Sequence, residues 1–223
     1  MRVLFVGNSL TYYNGGLDKQ VAALSKSSGA YAVEAEMVVE GGASLQHMFD
    51  RTDARARIEA GEWDVVVLQE DLPETDVDTF QAYVRKFETV ARLAGARTVL
   101  YMTWPYGRLG WIDQEGIAAA HYDVADSLRI GVAGVGEAWA AVQAERPDLN
   151  LYHKDNEHPN AKGHFLAACL VYLALAEPVG YRVDAHDALQ AYRPSGTGGE
   201  VGEYLRRVAV AQAGRDRRRM REL

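Results

Sequence analysis

The apolar and polar positions of this chain alternate between a strand rhythm and a helix rhythm. Arg2–Val6 is a short apolar run closed by Gly7 and reads as a buried strand. Leu17–Ser28 carries Leu17, Val21 and Leu24 at helical spacing, whereas Tyr31–Val39 sets Val33, Ala35, Met37 and Val39 at every second position, as a strand does. Leu45–Ala60 predicts one helix ending near Gly61, and the β-branched Asp64–Leu68 predicts the clearest strand of the chain. Thr75 and Asp78 resemble a capping box, and behind them Val77, Phe80, Val84, Phe87, Ala91 and Ala94 form one helical stripe. Strands follow at Thr98–Met102 and, more weakly, at Gly131–Val135. Helices follow at Gln114–Leu128, Glu137–Ala144, the mostly apolar Asn160–Ala176 and the amphipathic Glu200–Gln212.

Strands separated by helices imply βαβ units and a parallel sheet covered on both faces. The predicted fold class is α/β: a flavodoxin-like three-layer α/β/α sandwich around a central parallel sheet of about five strands, with ligands bound beyond the strands' carboxyl ends. The length of 223 residues suits one domain, and no repeat or linker divides it. That domain is expected to span 1–214, with 215–223 a basic tail that frays as a solvated helix end.

Composition narrows the function classes. With 24 basic against 31 acidic residues the net charge is −7, so no nucleic-acid partner is expected. The apolar start at Met1–Gly7 is too short for a signal-peptide core, and no stretch suits a membrane span, so a cytoplasmic location away from membranes is the expectation. The single cysteine, Cys169, stands among apolar neighbours and reads as a small buried hydrophobe.

Candidate chemistry sits at two distant points. Ser9 follows the first strand in Gly7-Asn8-Ser9-Leu10, at the sheet edge where helix N-termini favour negative charge. A serine hydroxyl needs an adjacent base. Asp155 and His158, in Asp155-Asn156-Glu157-His158-Pro159, precede a buried helix that Asn160 can cap. A short loop lets the Asp155 carboxylate hold one ring nitrogen of His158 while the other faces the strand ends. Either motif alone reads as an ordinary turn or capping loop, and only the pair is specific.

These two blocks resemble those of the SGNH (GDSL-like) hydrolase superfamily, whose first block is Gly-Asp/Asn-Ser-Leu and whose last is Asp-x-x-His-Pro. The resemblance implies Ser9 as nucleophile, His158 as general base and Asp155 as its orienting acid. It also implies an oxyanion hole from the N–H groups of Ser9 and Gly42 and the side-chain amide of Gln69. Gln69 stands where the family has asparagine, which looks like a subgroup with Leu-Gln at that block. The implied activity is that of a serine esterase acting on a small-molecule acyl ester, such as a carbohydrate O-acetyl or a short-chain ester. No metal or other cofactor is implied.

Trp104, Tyr106 and Tyr12 are candidate pocket-lining aromatics, with Tyr13 and Trp111 nearby, and Glu70 reads as a surface charge. Other readings stay open. One is an acyltransferase, or a ligand-binding member of the same fold with an idle Ser-His-Asp set. A second is a metal site drawing on His153, His158, His164, Asp155 and Glu157, whose spacing fits no familiar zinc motif. A third is a nucleotide-binding module, for which only Gly-Gly pairs speak.

Overall fold

The computed structural model describes residues 1–106, 108–176, 189–190, 192–194 and 196–222. Strands β1 (Arg2–Gly7), β2 (Glu34–Val39), β3 (Val65–Gln69), β4 (Arg97–Tyr101) and β5 (Gly131–Ala133) form one sheet in the order β2-β1-β3-β4-β5. Every neighbouring pair is parallel. The helices are α1 (Ser9–Tyr12), α2 (Leu17–Ser28), α3 (Leu45–Arg51), α4 (Ala54–Ala60), α5 (Val77–Leu93), α6 (Gln114–Leu128), α7 (Val135–Glu145), α8 (Ala161–Leu175) and α9 (Gly199–Arg221).

Side-chain alternation divides each strand between two cores. Val3, Phe5, Val65, Val67, Val99 and Tyr101 pack with α2, α7, α8 and α9. Leu4, Val6, Val66, Leu68 and Leu100 pack with α3, α4, α5 and α6. Covering both faces is what makes a run such as Val65-Val66-Val67 stable in a strand. Helix α8 is buried nearly all round, which explains its lack of a polar face. No helix among the described residues is long and apolar enough to cross a membrane. Cys169 lies within that buried helix, and burial pushes its thiol pKa up.

Four local expectations change. The second strand begins at Glu34, because Tyr31 and Val33 instead pack into the α2/α8 core. The predicted helix 45–60 is two helices, broken where the Thr52 hydroxyl donates to the Met48 carbonyl and accepts from Ala54 N–H. The cap of α5 is Asp76, which accepts from Thr79 N–H at 2.9 Å, rather than a Thr75/Asp78 box. The basic segment after 214 does not fray through its described part: α9 runs on to Arg221. Asp216 anchors it, one carboxylate oxygen accepting from Gly134 N–H and the other from the Tyr122 hydroxyl. A Cβ on Gly134 would lie within 3.0 Å of both Asp216 oxygens, so that approach requires glycine. Leu223 lies outside the described residues.

Candidate active site

Ser9 is the first residue of α1, one residue past the end of β1, so its backbone N–H has no carbonyl a turn earlier to bond. The residue before it does the anchoring. Asn8 caps α1, its Oδ1 accepting from Leu10 N–H at 3.1 Å. Its Nδ2 donates to the Ala43 carbonyl at 3.2 Å and to Asp71 at 3.1 Å, and its N–H donates to Gln69 Oε1 at 2.9 Å. Asn8 is fully buried with donors and acceptors all engaged. An aspartate there would set its charge against Asp71.

Gln69 Oε1 accepts a second bond, from the Thr11 hydroxyl at 2.8 Å. Because Asn8 N–H can only donate, the oxygen must face the loop, and the amide orientation is fixed by that fact. Gln69 Nε2 is buried and has no partner among the described residues. A Cβ at Gly7 would come within 2.6 Å of Gln69 Oε1, so the strand end needs glycine to let the amide in.

The second loop is closed on itself. Tyr152 and Pro159 form an antiparallel bridge, and His153 N–H donates to the His158 carbonyl at 2.8 Å. Asp155 Oδ1 accepts from the N–H groups of Glu157 (3.0 Å) and His158 (2.9 Å). Its Oδ2 takes His158 Nδ1 at 3.1 Å. A carboxylate only accepts, so that nitrogen carries the proton and Nε2 is left as an acceptor. Ser9 Oγ lies 2.8 Å from this Nε2. Asn160 then caps α8, accepting from the N–H groups of Lys162 and Gly163.

Three ties join the two loops to each other and to the core. Asn14, in the left-handed region at φ 51°, donates to the Pro159 carbonyl at 2.7 Å. The Tyr13 ring stacks on His158 with centroids 4.4 Å apart. Trp104 Nε1 donates to the Glu157 carbonyl at 3.0 Å.

Burial shapes the charges behind the serine. It pushes Glu70 up to about 7, against the N–H groups of Leu45 and Asp71 that favour its anion. It pushes Asp71 up to about 6, opposed by the Tyr106 hydroxyl. Burial also acts to raise Asp155. There the backbone N–H of Glu157, the imidazole of His153 and the N–H and imidazole of His158 win, holding the carboxyl below the usual range. His164, buried under α2 and accepting from Gln20 Nε2 at 3.0 Å, is lowered to about 4 by desolvation.

Ser9, His158 and Asp155 are therefore brought together, and Gly42 (φ 68°) lies with Asp71 in the wall of a groove joined to the serine loop through the Asn8 bonds to Asp71 and the Ala43 carbonyl. Other expected site residues stand elsewhere. Trp104 is fully buried and stacked on Trp139 at 3.9 Å, so it packs in the core rather than presenting its ring at the surface. Tyr106 is buried too, its hydroxyl donating to Asp71. Of the three aromatics only Tyr12 is exposed, its hydroxyl close to Gly41. Glu70 is no surface charge: it is buried, accepting from Leu45 and Asp71 N–H. Among the described residues no His/Cys/Asp/Glu group is arranged to hold a metal ion. Asn8, Asn14 and His153 were missed as positioning groups; Asn14 follows two tyrosines with no local mark of its long-range bond.

No family model matches the chain, and no curated protein matches it in sequence. Solved structures do match. A protein from Slackia heliotrinireducens described as a candidate SGNH hydrolase is 29% identical, with a TM-score of 0.66 over 78% of this chain and 98% of its own. The acetyl xylan esterase AlAXEase is 18% identical, with a TM-score of 0.63 over 78% of this chain and 100% of its own. The esterase EstA from Pseudoalteromonas sp. is 17% identical, with a TM-score of 0.58 over 78% and 96%. The fold is that of the SGNH/GDSL hydrolases, and the likeness supports hydrolase activity and a place in that superfamily.

Proposed function

We propose that the chain is a serine esterase that hydrolyses a small acyl ester through an acyl-enzyme on Ser9. The observation that carries this reading is the Ser9 Oγ to His158 Nε2 distance of 2.8 Å, with Asp155 on the opposite ring nitrogen. In this reading His158 takes the hydroxyl proton as Oγ bonds to the ester carbonyl carbon. The imidazolium, steadied by Asp155, then gives that proton to the departing alcohol. Water enters by the same proton path, and the acid leaves with Ser9 restored.

Preorganised donors at the developing oxyanion supply much of such catalysis. The N–H groups of Ser9 and Gly42 are assigned that role. Gln69, expected to give a third donor, is assigned to support of the loop, because its oxygen is committed to Asn8 and Thr11 and its Nε2 is sealed from solvent. The groove at Gly42 is lined by Glu40, Ser44, His47, Asp71 and Glu74. With Gly42 assigned to the oxyanion, substrate would lie against this groove, and its polar, carboxylate-rich walls favour a hydroxyl-bearing alcohol over an anion. The likeness to an acetyl xylan esterase supports the same direction.

Fluorophosphonate labelling with peptide mapping tests the reading. Label is expected on Ser9 and should be absent from Ser9→Ala and much reduced in His158→Ala. Among p-nitrophenyl esters, acetate should turn over faster than octanoate. Label on another residue, or none on folded protein, overturns the proposal.

A further inference from the structure

Asp155 serves two imidazoles, not one. Its Oδ2 lies 3.0 Å from His153 Nδ1 and 3.1 Å from His158 Nδ1. The loop's closure enforces this: the Tyr152–Pro159 bridge and the His153 N–H to His158 carbonyl bond set positions 153 and 158 face to face, with Asp155 at the turn between them. Since the carboxylate can only accept, both ring nitrogens must arrive protonated, and they compete for one oxygen. The two rings stand within about 6 Å nitrogen to nitrogen, close enough for a charge on one to be felt by the other.

We infer that His153 is a positioning residue that shares Asp155 with His158 and sets the acid limit of activity. The inference rests on the Ser9–His158–Asp155 reading above. A base works only while neutral. Every hydrogen bond or positive charge that His153 directs at Asp155 is taken from the support Asp155 gives to a charged His158. His153 therefore bears on how far Asp155 can support a charged His158. Among the described residues, several groups face this pair. Tyr13, from the turn after α1, stacks on His158 and has its hydroxyl 3.3 Å from His153 Nδ1. Ser9, from α1, meets His158 Nε2. Within the loop, Glu157 is paired with Arg108, which also binds Glu74, so that carboxylate is already engaged. His153 and Asp155 are each about one-third exposed, and salt will weaken the coupling.

The experiment compares wild type, His153→Ala and His153→Asn in the rate of Ser9 labelling by a fluorophosphonate and in kcat/KM for p-nitrophenyl acetate, from pH 4.5 to 9, at low and high salt. His153→Ala is expected to move the acid limb upward by about half a pH unit at low salt, and by less at high salt. His153→Asn keeps a neutral donor without the charge, and its limb should fall between the other two. Superimposable profiles for all three proteins, with wild type labelled at Ser9, overturn the role of His153 and leave the esterase reading standing. A loss of rate that is equal at every pH also overturns it, since that marks a purely structural residue. Absence of Ser9 label in wild type overturns the esterase reading itself, which separates the two failures.

Discussion

The two halves of the candidate site are built in opposite ways. The serine loop is sunk into the protein: Asn8 is fully buried and bonded to the end of β3, to the Ala43 carbonyl after β2 and to Asp71. The histidine loop is the more exposed half, with the Asp155 side chain 37% exposed, and it combines bonds among its own residues with ties to Asn14, Tyr13 and the core residue Trp104. One half is fixed by buried bonds to the core, and the other adds a self-closed turn to a few ties at its surface. Damage to the first should therefore show in stability as well as rate, and damage to the second chiefly in rate.

The largest expected effect tests the solvent-exposed half. Asp155→Asn leaves a side chain of similar size but presents an amide where His158 needs an acceptor, which costs about 10⁴ in kcat for a comparable triad. Its melting temperature should fall less than that of a variant in the buried serine loop, since solvent screens a carboxylate that is 37% exposed. A large fall in melting temperature would show that the loop depends on this charge for its fold.

Next comes Asn8→Ala, which removes a helix cap and strips partners from the buried Ala43 carbonyl and Asp71. A destabilisation of about 2–3 kcal/mol is expected in denaturant titrations, accompanied by slower Ser9 labelling. Lost labelling without lost stability would contradict the contrast drawn above.

The smallest effect concerns pH and the acids beneath the serine. Glu70 and Asp71 have pKa values raised by burial to about 7 and about 6, so the folded state holds their protons more tightly than the unfolded chain does. Their contribution is full at low pH and is lost as pH rises through about 4 to 7. His121 and His164, lowered by burial to about 4, act the other way: the unfolded chain binds their protons first, and stability is lost as pH falls below about 6.5. The two effects oppose each other across one window, so melting temperature should vary little between pH 4.5 and 6.5. His121→Leu removes one opponent, and that variant should be more stable at pH 5 than at pH 7. A variant with the reverse slope would refute the assignment of buried, proton-holding acids.

This contrast also marks what the sequence could reveal. The layered fold was legible because Val65–Leu68 and the stripe from Val77 to Ala94 carry their periods openly. The pairing of Ser9 with His158 was legible through two short motifs. What escaped was set by tertiary burial. Trp104 and Tyr106 look like pocket residues because they follow a strand end, but Trp139 and Asp71 draw them inward. Glu70 reads as a surface charge because nothing local announces that Leu45 and Thr75 supply its donors. Thr52 splits a helix whose apolar period runs on unbroken, since a side chain bonding back to Met48 leaves no trace in that period.

The bridge between Tyr152 and Pro159 fixes how the segment between them can vary in length. Adding or deleting a single residue inside it would turn 153 and 158 to opposite sides and carry the imidazole away from the hydroxyl it meets. The same change a few positions earlier, near Asp148, would only lengthen a connection. Insertions should thus accumulate upstream of Leu151 and be purged from the eight positions that follow, whatever acyl group the protein handles.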